Sequence, residues 1–258
     1  MFADINGIRM NYEEHGSGEP VILIGGFGAN LRFWHSSIPL LDGYRVITYD
    51  NRGVGQTVYE GGFDLDVLAD DTVALMNHLG IDRAHVVGWS MGSHIGQSLG
   101  IRHGDRLKSL TLVSTYSRRP ARSDYILSGI NEMVLRGEAP MECLALVVNA
   151  FCFPESVFRD YDSRGERFPI PKRLERPEGL RDQLAAVNSY DTTDISSAIA
   201  VPTMVIHGGK DIMVEPSEGM GVAASIRGSR FLLLESAGHN IPMGMYVERL
   251  RAFIDSNA

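Results

Sequence analysis

Short runs of apolar, largely β-branched residues recur along the chain at 21–24, 44–49, 84–89, 107–114, 202–207 and 231–234. Each is too short for a buried helix and is bounded by glycine, proline or polar turn residues, so each predicts a strand covered on both faces. Between them the apolar positions change period. From Leu65 they fall at Leu68, Thr72, Leu75, Met76 and Leu79, the spacing of an amphipathic helix that Gly80 closes. Segments 31–41, 91–103, 216–226 and 246–254 read as helices in the same way. At the N-terminus, 2–5 and 8–13 flank Asn6-Gly7, a pair that tolerates the positive φ of a two-residue hairpin turn, so the chain opens with an antiparallel pair.

Strands alternating with helices predict an α/β fold, a mostly parallel sheet with helices on both faces and an N-terminal antiparallel hairpin. The alternation stops between 116 and 190, where helical patterning at 125–136, 141–149 and 180–187 is interrupted by Pro154, Pro169, Pro171 and Pro177. We therefore expect one core built from 1–115 and 191–258, with 116–190 inserted as a helical cap over the carboxyl ends of the strands, where open α/β sheets hold their ligands.

Composition narrows the function classes. With 258 residues, 44% of them apolar, the chain can bury a large single core, and a formal charge of −8 without a basic stripe argues against nucleic acid as a partner. Neither a basic leader followed by a long apolar stretch nor an 18-residue apolar run is present, which predicts a cytoplasmic protein without a membrane partner. The two cysteines, Cys143 and Cys152, read as free buried thiols. No Cys/His/acid cluster has metal-ligand spacing, and no glycine pattern fits a nucleotide phosphate, so no cofactor is expected. Self-association is left open.

The chemistry gathers at three strand ends. Gly88-Trp89-Ser90-Met91-Gly92 follows the strand at 84–89 directly, and the glycines would let a strand reverse at once into a helix with Ser90 at the apex. The pentapeptide alone arises by chance in roughly a quarter of sequences of this length and composition. A second copy, Gly96 to Gly100 around Ser98, falls inside a helix and reads as a packing site. A serine hydroxyl needs a base, and the base needs an orienting acid. Asp211 follows the strand at 202–207, and His239 follows the strand at 231–234. The backbone N–H groups of Met91 and of Phe27, in Gly25-Gly26-Phe27-Gly28, are candidate donors to a developing oxyanion. His94, one helical turn beyond Ser90, and His207, at a strand end, read as wall or packing residues. Asp50 and Arg52 read as scaffold for the oxyanion loop, and Asp191 and Asp194 as turn residues.

These residues, with Phe33-Trp34, Ile38-Pro39-Leu40, Tyr49-Asp50-x-Arg52-Gly53-x-Gly55, Val201-Pro202-Thr203 and Gly238-His239, resemble the α/β-hydrolase superfamily over nearly the whole chain. The first half and last quarter are most similar to the 3-oxoadipate enol-lactonase and carboxylesterase branch. The resemblance implies Ser90 as nucleophile, His239 as base, Asp211 as its partner, and an oxyanion hole at Phe27 and Met91. It also implies a small ester or lactone as substrate, cleaved through an acyl-enzyme. The fold equally hosts C–C hydrolysis, perhydrolysis, lyase chemistry and non-catalytic binding on the same scaffold. Two positions depart from the pattern: Ser93 stands where a glycine is common, and the segment after His239 lacks the usual acidic residue before proline.

The cap matches least. Trp34, Trp89, Tyr116, Met133, Met141, Phe151, Phe153 and Ile212 are candidate pocket residues, although aromatics and methionines at helical spacing also serve as plain core. Arg118, Arg119 and Arg122 form either a solvated basic edge or a site for a substrate carboxylate.

Overall fold

The computed structural model of the chain describes residues 1–140, 142–169 and 177–258. Its strands are β1 (Phe2–Ile5), β2 (Ile8–His15), β3 (Glu19–Ile24), β4 (Tyr44–Tyr49), β5 (Ala84–Trp89), β6 (Leu107–Val113), β7 (Thr203–Gly208) and β8 (Arg230–Leu234). They form one sheet in the order β1-β2-β4-β3-β5-β6-β7-β8. β1 and β2 pair antiparallel, as do β2 and β4; every later pairing is parallel. The opening hairpin turns through Asn6 and Gly7, both with positive φ (43° and 74°), so the turn follows the right-handed twist of its strands.

The helices are α1 (Leu65–His78), α2 (Met91–Arg102), α3 (Ala121–Leu135), α4 (Glu142–Cys152), α5 (Glu155–Ser163), α6 (Pro177–Asn188), α7 (Pro216–Ser225) and α8 (Val247–Asp255). The central strands are apolar throughout because consecutive side chains enter two different cores. Ile22, Ile24 and Val86 join Leu68, Leu75, Ile95 and Leu99 on the face of α1 and α2. Val21, Leu23 and Val87 join Trp34, Leu41, Leu250 and Phe253 on the face of α8. Covering each such side chain is worth about 1.5–3 kcal/mol, and a sheet buried on both faces collects that from every position.

Three expectations change. Segment 31–41 is not one helix but two 3₁₀ turns, Leu31–Trp34 and Ile38–Leu41. Pro39 lies in the first turn of the second, and its ring and missing N–H prevent a continuous α-helix through the segment. The stretch between β6 and β7 holds a further helix, α5, that the apolar pattern did not single out, because its apolar face is only Val157, Phe158 and Tyr161. Two of the prolines there open helices: Pro154 caps α5 and Pro177 begins α6. Met141 and Pro171 lie outside the described residues. A third core of Val54, Leu127, Leu144, Leu180 and Leu184 holds α3, α4 and α6 to the turn after β4.

Candidate active site

At the junction of β5 and α2 the chain reverses within one residue. Ser90 has φ 54° and ψ −119°, a conformation that side-chain-bearing residues rarely adopt and that only the surrounding packing can hold. The glycines make that packing possible. A methyl group on Gly88 would lie 2.1 Å from the Gly92 carbonyl oxygen, and one on Gly92 would lie 2.2 Å from the carbonyl oxygen of Ile24 in β3. Ser90 N–H donates to Val113 O at 2.9 Å, tying the elbow to the end of β6. Ser93, where glycine was the expectation, turns its hydroxyl back to donate to the Ser90 carbonyl at 2.6 Å. Ser98 donates to Asp66 at 2.6 Å, a helix-to-helix contact between α2 and α1.

The three strand ends meet. Ser90 Oγ is 2.8 Å from His239 Nε2, and His239 Nδ1 is 2.7 Å from Asp211 Oδ2. A single tautomer satisfies both contacts: Nδ1–H donates to the carboxylate while Nε2 accepts from the serine hydroxyl. Asp211 also accepts from the backbone N–H of Met213 (3.0 Å) and Val214 (2.9 Å). Burial alone would raise its pKa. The His239 charge and the hydrogen bonds from His207, His239 and Val214 outweigh burial and hold the carboxyl down at about 2. His207, a candidate wall residue, lies behind the acid instead. Its Nε2 donates to Val214 O at 3.1 Å and sits 3.3 Å from the carboxylate oxygen that meets His239. The His239 carbonyl receives both the Trp89 indole N–H (2.9 Å) and the Ser114 hydroxyl (2.8 Å), so the imidazole is anchored through its own backbone.

The loop after β3 brings a second set of donors to the elbow. Among the described residues, neither the Phe27 nor the Met91 N–H donates to a protein acceptor. Ala29 N–H closes a turn on Gly26 O at 3.1 Å, and Gly28 N–H donates to Gln183 Oε1 at 2.9 Å. Gln183, fully buried on α6, also donates to Arg52 O at 2.7 Å and so locks the loop to the turn after β4. Asp50 accepts from Leu31 N–H (2.8 Å), Gln56 N–H (2.7 Å) and Asn11 Nδ2 (2.8 Å), while Arg52 makes a two-point contact with Asp71 (2.6 and 2.8 Å). Both are buried and sit in the framework behind the loop, as read from the sequence.

Comparison with known proteins gives the same architecture. Residues 19–135 match the family model for the alpha/beta hydrolase fold. A Mycobacterium tuberculosis protein named "Putative non-heme bromoperoxidase BpoC" is 31% identical over 238 residues, which cover 90% of this chain and 91% of that one. The chain is an α/β-hydrolase. A pimeloyl-[acyl-carrier protein] methyl ester esterase of Neisseria meningitidis is 28% identical over 85% of this hydrolase and 86% of its own length. The solved enol-lactonase of Burkholderia xenovorans LB400 superposes with a TM-score of 0.81 at 25% identity, covering 99% of this chain and 97% of that one.

In this hydrolase the elbow opens into a cavity of about 40 Å³. Its floor is Phe27, Trp89, Ser90, Met91 and His239 from the strand ends, and its roof comes from the helices between β6 and β7. Of the candidate pocket residues, Trp89 and Tyr116 line it. Trp34 is buried one layer back, edge-on to Phe33, which stacks on Trp89 at 4.4 Å. Met133 and Ile212 are 42% and 50% exposed, because the faces of their segments that turn inward are Leu127 and Met213-Val214 instead. Phe153 packs on Phe168 and, like Phe151, lies outside the wall. Val148, Leu184, Val187 and Cys152 complete the roof, and helical periodicity within 144–152 and 180–187 is the signal that marks them. Cys143 and Cys152 are free thiols, but only Cys152 is buried as expected, Cys143 being half-buried, and burial pushes the Cys152 thiol up.

The remaining histidines separate clearly. His94 is fully buried with its ring 4.1 Å from Tyr116, and burial, helped by the Arg119 charge, holds it neutral with a pKa lowered to about 3. His15 meets Glu13 two residues back on the same strand, while His35 meets Glu13 and His103 meets Asp70, partners that only the fold brings within reach. Asp191 is a turn residue that accepts from Thr193. Among the described residues no cluster of metal-ligating side chains occurs, and no helix is long and apolar enough to cross a membrane.

Proposed function

We propose that the chain is a serine hydrolase that cleaves a small carboxylic ester or lactone through an acyl-enzyme. The observation that carries this reading is the continuous relay from Ser90 Oγ to His239 Nε2 (2.8 Å) and from His239 Nδ1 to Asp211 (2.7 Å). Ser90 Oγ attacks the substrate carbonyl carbon while His239 Nε2 takes its proton, and Asp211 stabilises the imidazolium that forms. The negative oxygen of the tetrahedral intermediate falls to the uncommitted Phe27 and Met91 N–H groups, with the N-terminus of α2 behind them. His239 then hands its proton to the leaving alkoxide. Water, deprotonated by the same imidazole, attacks the acyl-enzyme, which releases the carboxylic acid and restores Ser90. The helices of 116–190 act as a cap that sets which acyl and alcohol groups reach the serine. Ser90→Ala should abolish turnover of short p-nitrophenyl esters and labelling by a fluorophosphonate; full activity in that variant would sink the reading.

The bromoperoxidase name of the Mycobacterium tuberculosis relative favours a second use of the same intermediate. Hydrogen peroxide replacing water as the attacking group would release a peracid, and Ser90 would regain its proton as before. Peracid formation from ester and peroxide that exceeds hydrolysis at equal conversion would make this the principal activity; hydrolysis unaffected by peroxide would exclude it.

A further inference from the structure

Arg118, Arg119 and Arg122 follow β6 in close succession, and the fold sends them to different places. Arg118 is 78% exposed with Asp191 at 3.8 Å, and Arg122 is 62% exposed with Glu215 at 3.6 Å. Both are solvated members of the basic edge. Arg119 turns inward and forms part of the cavity wall with Ser90 and His239. Its Nη1 is buried with no hydrogen-bond partner, and among the described residues no carboxylate pairs with it. The guanidinium does reach the Tyr116 hydroxyl, and Nη1 is left unmet beside it.

A guanidinium stays charged at any ordinary pH, and a buried charged donor left unmet is costly. The cavity supplies little to meet it. Apart from the Ser90 and His239 groups committed to the relay, the Tyr116 hydroxyl that Arg119 already meets and the Ser123 hydroxyl, which donates to Met213 O, the wall is largely apolar, with Phe27, Leu127, Val148 and Leu184. The protein carries a net charge of −8, so no general field draws anions in; among the described residues that line the cavity, Arg119 is the one permanently charged group, a local exception. A carboxylate matches the planar fork of the guanidinium, and the apolar side chains of the cavity wall suit a few methylene groups.

Resting on the reading of Ser90 as an ester- or lactone-cleaving nucleophile, we propose that Arg119 is a specificity-determining residue. It binds a free carboxylate on the substrate, which is a short ester or lactone that also bears an ionised carboxyl group. The test uses the monomethyl esters of succinate, glutarate and adipate against neutral methyl esters of equal chain length. The wild-type ratio of kcat/KM should favour at least one half-ester roughly 10- to 100-fold, the range of one charge-assisted hydrogen-bond pair. Arg119→Gln should erase that ratio through KM, and Arg119→Lys should restore part of it; damage to the pocket in general would lower both substrates and leave the ratio. Calorimetric titration of the same half-esters into Ser90→Ala protein reads binding without turnover, and adding Arg119→Gln should weaken it by a similar factor. No preference for any half-ester in the wild type, or a preference and an affinity that Arg119→Gln leaves intact, overturns the proposal. Binding that depends on Arg119 in a protein that hydrolyses neither class would uphold the carboxylate site while refuting the esterase reading.

Discussion

Replacing Gly88 by alanine places a methyl group 2.1 Å from the Gly92 carbonyl oxygen, 2.5 Å from its carbon and 2.8 Å from Ser93 N. All three are backbone atoms in the first turn of α2, so no side chain can swing aside to make room. To reach even a tight contact the helix must retreat from β5 by about 1 Å, and Ser90, the residue between them, must move with it. Overpacking typically costs about 1–3 kcal/mol, and with only backbone available to yield we expect the upper end, about 3 kcal/mol. For a domain of this size that corresponds to a fall in Tm of about 6–12 °C. A displacement of about 1 Å at the proposed nucleophile, Ser90, is worth roughly 100-fold in kcat, because attack geometry is lost before the fold is. Gly221→Ala is the internal control. Gly221 lies in α7 with open space where its Cβ would be, so alanine there should raise stability by about 0.5–1 kcal/mol. Thermal melts and p-nitrophenyl acetate hydrolysis on the two variants decide the matter. A Gly88→Ala protein with the Tm and kcat of the wild type would refute the claim that the elbow depends on this close approach.

Asp211→Asn replaces the acceptor at His239 Nδ1 with a group that can equally present a donor, and kcat for an ester should fall about 10⁴-fold with the fold retained. The Asp211 carboxyl is held at about 2 against an ordinary 3.8, so its stabilising contribution is complete above the ordinary value and is lost as pH falls through about 2. Denaturant melts of wild type and Asp211→Asn should therefore differ most near neutrality and converge in that acid window; a constant gap would contradict the shift. His94 makes the corresponding prediction for a buried neutral imidazole. With its pKa lowered to about 3 from 6.5, the unfolded chain binds a proton that the folded chain refuses, so stability falls as pH drops below the ordinary value. The slope this adds is about 1.4 kcal/mol per pH unit until the folded pKa is reached. His94→Phe should flatten the stability profile between about pH 6 and 4 by that amount, measured as slope and not as midpoint; an unchanged slope would refute the assignment.

Much of this hydrolase was legible before any coordinates. The continuous apolar runs of β3, β5, β6 and β7 could only be strands buried on both faces, because no other short element needs apolar residues at every position. The candidate site was legible for the same reason. Parallel strands all end at one edge of the sheet, so Ser90, Asp211 and His239, each placed just after a strand, had to be candidates for one site. What pattern reading missed was local and steric. Pro39 divides 31–41 into two 3₁₀ turns, and the weak apolar face of α5 gives too little periodicity to stand out.

The sequence by itself determined which candidate groups stand at the strand ends and the layering of helices on a sheet, since both follow from periodicity and from which residue types can occupy an apex or bear a proton. Only the tertiary structure decided which way side chains of the helical insertion face. A helix tells which residues share a face but not what that face meets. Met133 and Ile212 therefore lie outside while Leu127 and Met213 lie inside, and of three neighbouring arginines Arg119 alone turns toward the serine.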